Sequence, residues 1–174
     1  MSELNLFDVL LDLNHYDDAT RVAAYDSLLD LGADVVPVLV ENFETIDGGA
    51  RLHVVRALGE IGDERAVPLL LDLMRDRAPD SYFMLPSLAA RALGQIGGEA
   101  AMLGLLGHLE DDNHGVRRMA AKVLGRFRDD RAVDGLGAIL QAGDAKLRVI
   151  AFDSLRRIGT PHAYALLAVN GRLH

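Results

Sequence analysis

Cysteine is absent from these 174 residues, which removes disulfide frames, thiolate nucleophiles and thiolate metal ligands. Tryptophan is absent too, and aromatics are few, five Phe and four Tyr, so the apolar half of the composition is mostly Leu, Val and Ala. That suits many small, similar helix contacts better than a mixed sheet. No apolar run is long enough to span a bilayer. The start, MSELNLFDVLLDL, has neither the basic region nor the cleavage site of a secretory signal, so the expectation is a cytoplasmic protein with no membrane partner.

Catalytic signatures are missing as well. The six histidines, His15, His53, His108, His114, His162 and His174, form no HExxH and no His-Glu pair, so no metal is assigned and no cofactor is expected. The acidic runs Asp12 to Asp18 and Glu110 to Gly115 lack the spaced oxygens and final Glu of a calcium loop and are read as helix caps. No Ser sits in a nucleophile elbow, and no Gly-rich loop follows a strand. No catalytic residue is assigned.

What is present is a repeated helical hairpin. In Arg56 to Asp76, RALGEIGDERAVPLLLDLMRD, Leu58 and Ile61 close one apolar stripe and Gly62 supplies a stop. Asp63 caps a second helix with apolar positions Val67, Leu70, Leu71 and Met74, and Pro68 falls in its first turn. Aligning on this stop gives Leu31-Gly32, Ile61-Gly62, Ile96-Gly97, Phe127-Arg128 and Ile158-Gly159, at spacings of 30, 35, 31 and 31 residues. Self-similarity of that period implies an all-α solenoid, because one hairpin cannot bury its own stripe. The reading is a single domain, 1–174, with a cap helix at 2–13 carrying Leu4, Phe7, Leu10 and Leu11 on one stripe, and repeats at about 17–46, 47–77, 78–111, 112–143 and 144–170.

Polar positions repeat in register. Asp17, Asp47, Tyr82, Asn113 and Asp144 stand where a cap is needed, and Arg21, Arg51, Pro86, Arg117 and Arg148 follow four residues later. The acid and arginine positions predict a structural ladder of ion pairs between successive repeats. The third repeat departs from it, with both ladder residues replaced and an inserted run, RAPDSYFMLPS, that holds the only adjacent aromatic pair. Tyr82, Phe83, Met84 and Leu85 are therefore candidate partner anchors.

The motif RALGEIGDERAVPLL, Arg56 to Leu70, resembles the HEAT-like repeats of the phycobilisome lyase family. The resemblance covers roughly Asp17 to Val169. It implies paired helices stacked as a right-handed superhelix with the second helices lining the concave face, and it implies no active-site residue. On such a face helical spacing projects Glu41 and Glu44, Asp72 and Arg75, and His108 and Asp111.

Charge is uneven: Met1 to Asp76 holds 16 acids and 5 bases, and Arg77 to His174 holds 10 acids and 13 bases. The first reading of function is thus a non-enzymatic interaction module that offers an acidic groove and the Tyr82 to Leu85 loop to a protein partner, a basic one by charge. The alternative is a bilin lyase-type protein acting on phycobiliproteins, which the resemblance implies. A second alternative is nucleic-acid binding through Arg118, Lys122 and Arg126, against which the overall acid excess argues. The chain is expected to be a monomer or a weak homo-oligomer through Leu166 and Leu167 at its C-terminal end.

Overall fold

The computed structural model describes residues 5–75, 84–142 and 144–170. Among them are eleven α-helices, short 3-10 turns and no strand. They fall into two compact units, Met1–Ile96 and Gly97–His174, with the division inside the third hairpin.

The first unit holds α1 (Leu6–Asp12), α2 (Asp18–Asp30), α3 (Val36–Glu41), α4 (Gly48–Ile61), α5 (Val67–Met74) and α6 (Leu85–Ile96). α1 packs on α2, α2 on α4, and α6 covers both α4 and α5. α4 shows how sequence sets this packing. Val54, Val55, Ala57 and Leu58 are fully buried on one side, while Arg56 and Glu60 point outward and pair at 3.3 Å. The helix stops at Gly62, whose φ of 78° is a left-handed backbone and whose amide donates to the Leu58 carbonyl at 3.2 Å.

The second unit holds α7 (Gly98–Gly107), α8 (His114–Phe127), α9 (Val133–Ala142), α10 (Ala145–Ile158) and α11 (Pro161–Asn170). α7 packs on α8, α8 on α10, α9 on α10, and α11 on both α9 and α10. α8 ends at Arg128 with φ 54°, so an arginine takes the left-handed position that glycine takes after α4 and α10.

Successive first helices approach very closely. A Cβ on Gly59 of α4 would stand 2.8 Å from the Ala92 Cα of α6, and one on Gly125 of α8 would stand 2.7 Å from the Ser154 Cα of α10. Two glycines of α9 make room for side chains instead of a backbone, since a Cβ at Gly135 would meet the end of the Leu109 side chain at 2.9 Å and one at Gly137 that of Leu166 at 2.5 Å.

Two expectations are corrected here. The cap helix buries Val9 and Leu13, while Phe7 and Leu11 are exposed, because the line from Val9 to Leu13, one turn on, faces the stack. At the other end Leu167 is buried and Leu166 lies against Gly137, so neither is the open surface; Tyr164 and Val169 are the exposed large apolar residues of α11.

Candidate functional site

The repeated Asp and Arg positions do two local jobs. Asp17, Asn113 and Asp144 accept hydrogen bonds from the amides of Thr20 at 2.9 Å, Gly115 at 2.8 Å and Leu147 at 2.9 Å, and so cap α2, α8 and α10. Asp47 makes no such bond and instead accepts from Asn14 Nδ2 at 3.0 Å. The arginines fold back onto the carbonyls of the loop leading into their own helix. Arg21 reaches His15 at 2.5 Å, Arg51 reaches Ile46 at 2.9 Å and Glu44 at 2.6 Å, and Arg117 reaches Asp111 at 2.5 Å. Arg148 is exposed. The anticipated ladder between repeats is thus made mostly of arginine-to-carbonyl bonds onto the last residues of the preceding repeat, because an arginine on the first turn meets the loop's unpaired carbonyls before it meets an acid on a neighbouring helix. Among the described residues its ion pairs are only Arg51 with Glu44 and His114 with Asp144, both at 3.3 Å.

Further links between hairpins come from the turns, which sequence reasoning passed over. In Asp63-Glu-Arg-Ala-Val67, Asp63 clasps the Arg65 side chain at 2.6 Å, and Arg65 Nη2 donates to the Ala33 carbonyl of the preceding hairpin at 2.7 Å. The same cassette at Asp129 to Val133 has Asp129 clasping Arg131 at 2.7 Å, with Arg131 reaching Glu99 at 3.1 Å. Asp130 in turn accepts from Thr160 Oγ1 at 2.5 Å and stands 3.3 Å from His162, whose other ring nitrogen is 3.3 Å from Asp134. Recurrence of D-x-R-A-V was the available signal. The Arg65 side chain, then its amide, pull Asp63 down to about 2, and Arg131 lowers Asp129 in the same way.

A second cluster joins α2 and α4. The Arg56 guanidinium lies 4.5 Å from the centre of the Tyr25 ring, and the His53 ring meets that ring edge-on at 6.2 Å. Burial first, and Glu60 second, push the Tyr25 hydroxyl up to about 12. That hydroxyl is buried and close enough to feel Glu60, yet no partner meets the geometry of a full hydrogen bond. Burial, then Arg56, lower His53 below the ordinary histidine value. Both side chains are therefore neutral at pH 7, and the Tyr25 hydroxyl has no access to solvent for proton transfer.

The anticipated anchor loop is only partly in view. Tyr82 and Phe83 lie outside the described residues; Met84 is exposed, and Leu85 is buried as the first residue of α6. Of the groove residues, Glu41 and Glu44 are exposed in the first unit, and Glu44 pairs with Arg51 at 3.3 Å. Asp72 and Arg75 are exposed at the end of α5. His108 does not line a groove: it is buried, with Nδ1 2.8 Å from the Gly104 carbonyl. Asp111 is half-buried and accepts from the Asn113 amide at 2.8 Å. On α8, Lys122 and Arg126 are exposed and Arg118 is half-buried. Between α1 and α3 an open apolar cavity of about 180 Å³ is lined by Leu6, Phe7, Leu10, Leu11, Val38 and Leu39, with Asp47 at its polar side. Among the described residues no group of three or more His, Cys, Asp or Glu is placed to hold a metal, and no helix is long and apolar enough to cross a membrane.

Residues 6–82 and 102–169 match the family model for HEAT repeats. Over 124 residues the chain is 35% identical to the phycocyanobilin lyase subunit alpha of Picosynechococcus sp., covering 68% of this chain and 44% of that protein. It is 30% identical over 162 residues to the bilin biosynthesis protein PecF of Mastigocladus laminosus, covering 91% of this chain and 66% of that one. The chain thus spans less than half the length of the lyase subunit it matches. In fold it is similar to the solved complex of CpcE and CpcF of phycocyanin lyase from Nostoc sp., with a TM-score of 0.61 at 22% identity, covering 86% of this chain and 96% of that one. These relatives overturn the first reading, a non-enzymatic interaction module, and favour its lyase-type alternative.

Proposed function

We take as premise that the chain belongs to the HEAT-repeat family, in its phycobilisome lyase-type branch, and propose that it is a subunit of a bilin lyase. In this reading it works in the cytoplasm on the attachment of a linear tetrapyrrole to a phycobiliprotein, or on its removal. The observation that carries it is similarity to pigment-handling proteins over most of the chain, including 91% of it for PecF.

Physical chemistry narrows the role. With no cysteine the chain has no thiol with which to hold a pigment covalently, so it holds one through noncovalent contacts. The cavity between α1 and α3, at about 180 Å³, is smaller than the roughly 300–1,000 Å³ of sites that enclose drug-sized ligands, so it is not the seat of a whole tetrapyrrole. Tyr25 and His53 are neutral and packed rather than poised for proton transfer. The chain therefore orients pigment and acceptor, in a site completed by another protein. The solved complex of CpcE and CpcF supports assembly with a second repeat subunit. Arg118, Lys122 and Arg126, at four-residue spacing on α8, are the cations we assign to the carboxylate arms of the tetrapyrrole.

The test combines the chain, a second lyase subunit of this family, phycocyanobilin and pigment-free phycocyanin. Pigment that stays on the acceptor through denaturation, with a shifted visible band, is expected only when this chain is present. Charge reversal at Arg118 and Lys122 should lower the yield without loss of helicity. Equal attachment with and without the chain would sink the reading.

A further inference from the structure

We propose that this chain associates with a second copy of itself head to tail, the face formed by α1 and α3 of one copy docking on the outer face of α10 of the next. The inference rests on two exposed surfaces and not on the lyase reading.

The first surface is apolar at its centre and acidic at its edge. Phe7, Leu11 and Val38 are exposed large apolar residues at the mouth of the α1–α3 cavity. Exposed Asp8 and Asp12 stand one turn apart on α1, and exposed Glu41 and Asp47 flank the α3 side. The cavity has room for one aromatic side chain.

The second surface has the opposite sign. On α10, Val149 is 62% exposed and Phe152 is 40% exposed. Arg148 and Arg156 stand one turn before and after Phe152, with Arg157 beside them, and Asp153 is the one acid among these exposed charges. Register sets Phe152 apart by exposure. Tyr25, Val55, Ala90 and Ala121 occupy the same place, three residues before Leu28, Leu58, Leu93 and Leu124, and all four are buried, whereas the Phe152 ring is exposed.

Charge selects the pairing. Each surface repels a copy of itself, since like charges brought together across an interface disfavour the pairing. The acidic surface attracts the basic one, with Phe152 placed to fill the cavity that Phe7, Leu11 and Val38 border. Two different surfaces on one chain make a heterologous contact, which propagates instead of closing as a dimer unless its rotation closes a ring.

Sedimentation velocity of the full chain across concentration and salt tests this. The expected result is a mass that rises with concentration at low salt, with an affinity that weakens by about tenfold or more at high salt as the charges are screened. Phe152→Glu alone, and the double variant Phe7→Glu with Leu11→Glu alone, should each stay monomeric. Their equimolar mixture should form a 1:1 dimer, because each keeps the surface the other has lost. Should either variant lose helicity by circular dichroism, Arg156→Glu with Arg157→Glu, and Asp8→Lys with Asp12→Lys, replace them at exposed positions. A wild type that stays monomeric at millimolar concentration overturns the proposal. So does a symmetric dimer untouched by these variants, or a surface that binds another subunit of the lyase but never this chain.

Discussion

At the scale of single residues, several side chains sit where their surroundings oppose their chemistry, and each makes a prediction. Arg128 holds a left-handed backbone that costs an L-residue roughly 1–2 kcal/mol, a cost that Gly62 and Gly159 avoid at the equivalent stops. Arg128→Gly should therefore stabilise the chain by about 0.5–1 kcal/mol after the entropy of glycine is charged against it, read as a higher thermal midpoint. Asp63 titrates near 2 in the fold against an ordinary 3.8, so its contribution is complete above about pH 4 and is lost as pH falls through 2. Asp63→Asn should flatten that part of an acid unfolding curve. His53 runs the other way in charge: its value is lowered in the fold, so the unfolded chain binds the proton more readily and stability falls as pH drops below about 6.5. Replacing His53 by Leu should remove this loss, measured by urea midpoints at pH 7 and 5. The capping acids were legible in the sequence because their job is local. The Tyr25, His53 and Arg56 cluster was not, since nothing in the sequence says that α2 and α4 meet at those residues.

Elements are where sequence and structure agree most closely. The stop signal, its spacing and Pro68 in the first turn of α5 all follow from local backbone preference, so the ends of the first helices were readable to about a residue. What pattern alone misplaced was rotation. Leu, Val and Phe are scattered around α1, and only the approach of α2 decides that Val9 and Leu13 face inward. Helix spacing carries the sharpest prediction at this scale. Gly59→Ala or Gly125→Ala forces a methyl group against a neighbouring helix backbone at under 3 Å and should cost about 1–3 kcal/mol. Gly107→Ala, with nothing within 4 Å of the new Cβ, should be neutral or stabilising by up to about 1 kcal/mol. Chemical denaturation of the three variants side by side checks both halves.

For the whole molecule, architecture was legible and activity was not. A stack of hairpins can be built from caps, stops and stripes, and none of those residues says what the stack acts on. The preference for a non-enzymatic module came from treating the lack of a nucleophile, metal motif or acid-base pair as a lack of catalysis. A subunit that orients two other molecules needs none of these in its own sequence, and only similarity to lyase proteins separates the two cases.

The Asp-x-Arg-Ala-Val turn has a further use. It carries its own cap, its own clasp and, through Arg65, a bond to the hairpin behind. It recurs at Arg131 with a different acceptor, Glu99 in place of a backbone carbonyl. A join that tolerates a change of partner is portable. Hairpins bearing this cassette are thus suitable modules for lengthening or shortening an array, provided that the close helix contacts at Gly59 and Gly125 are carried along with the five-residue turn.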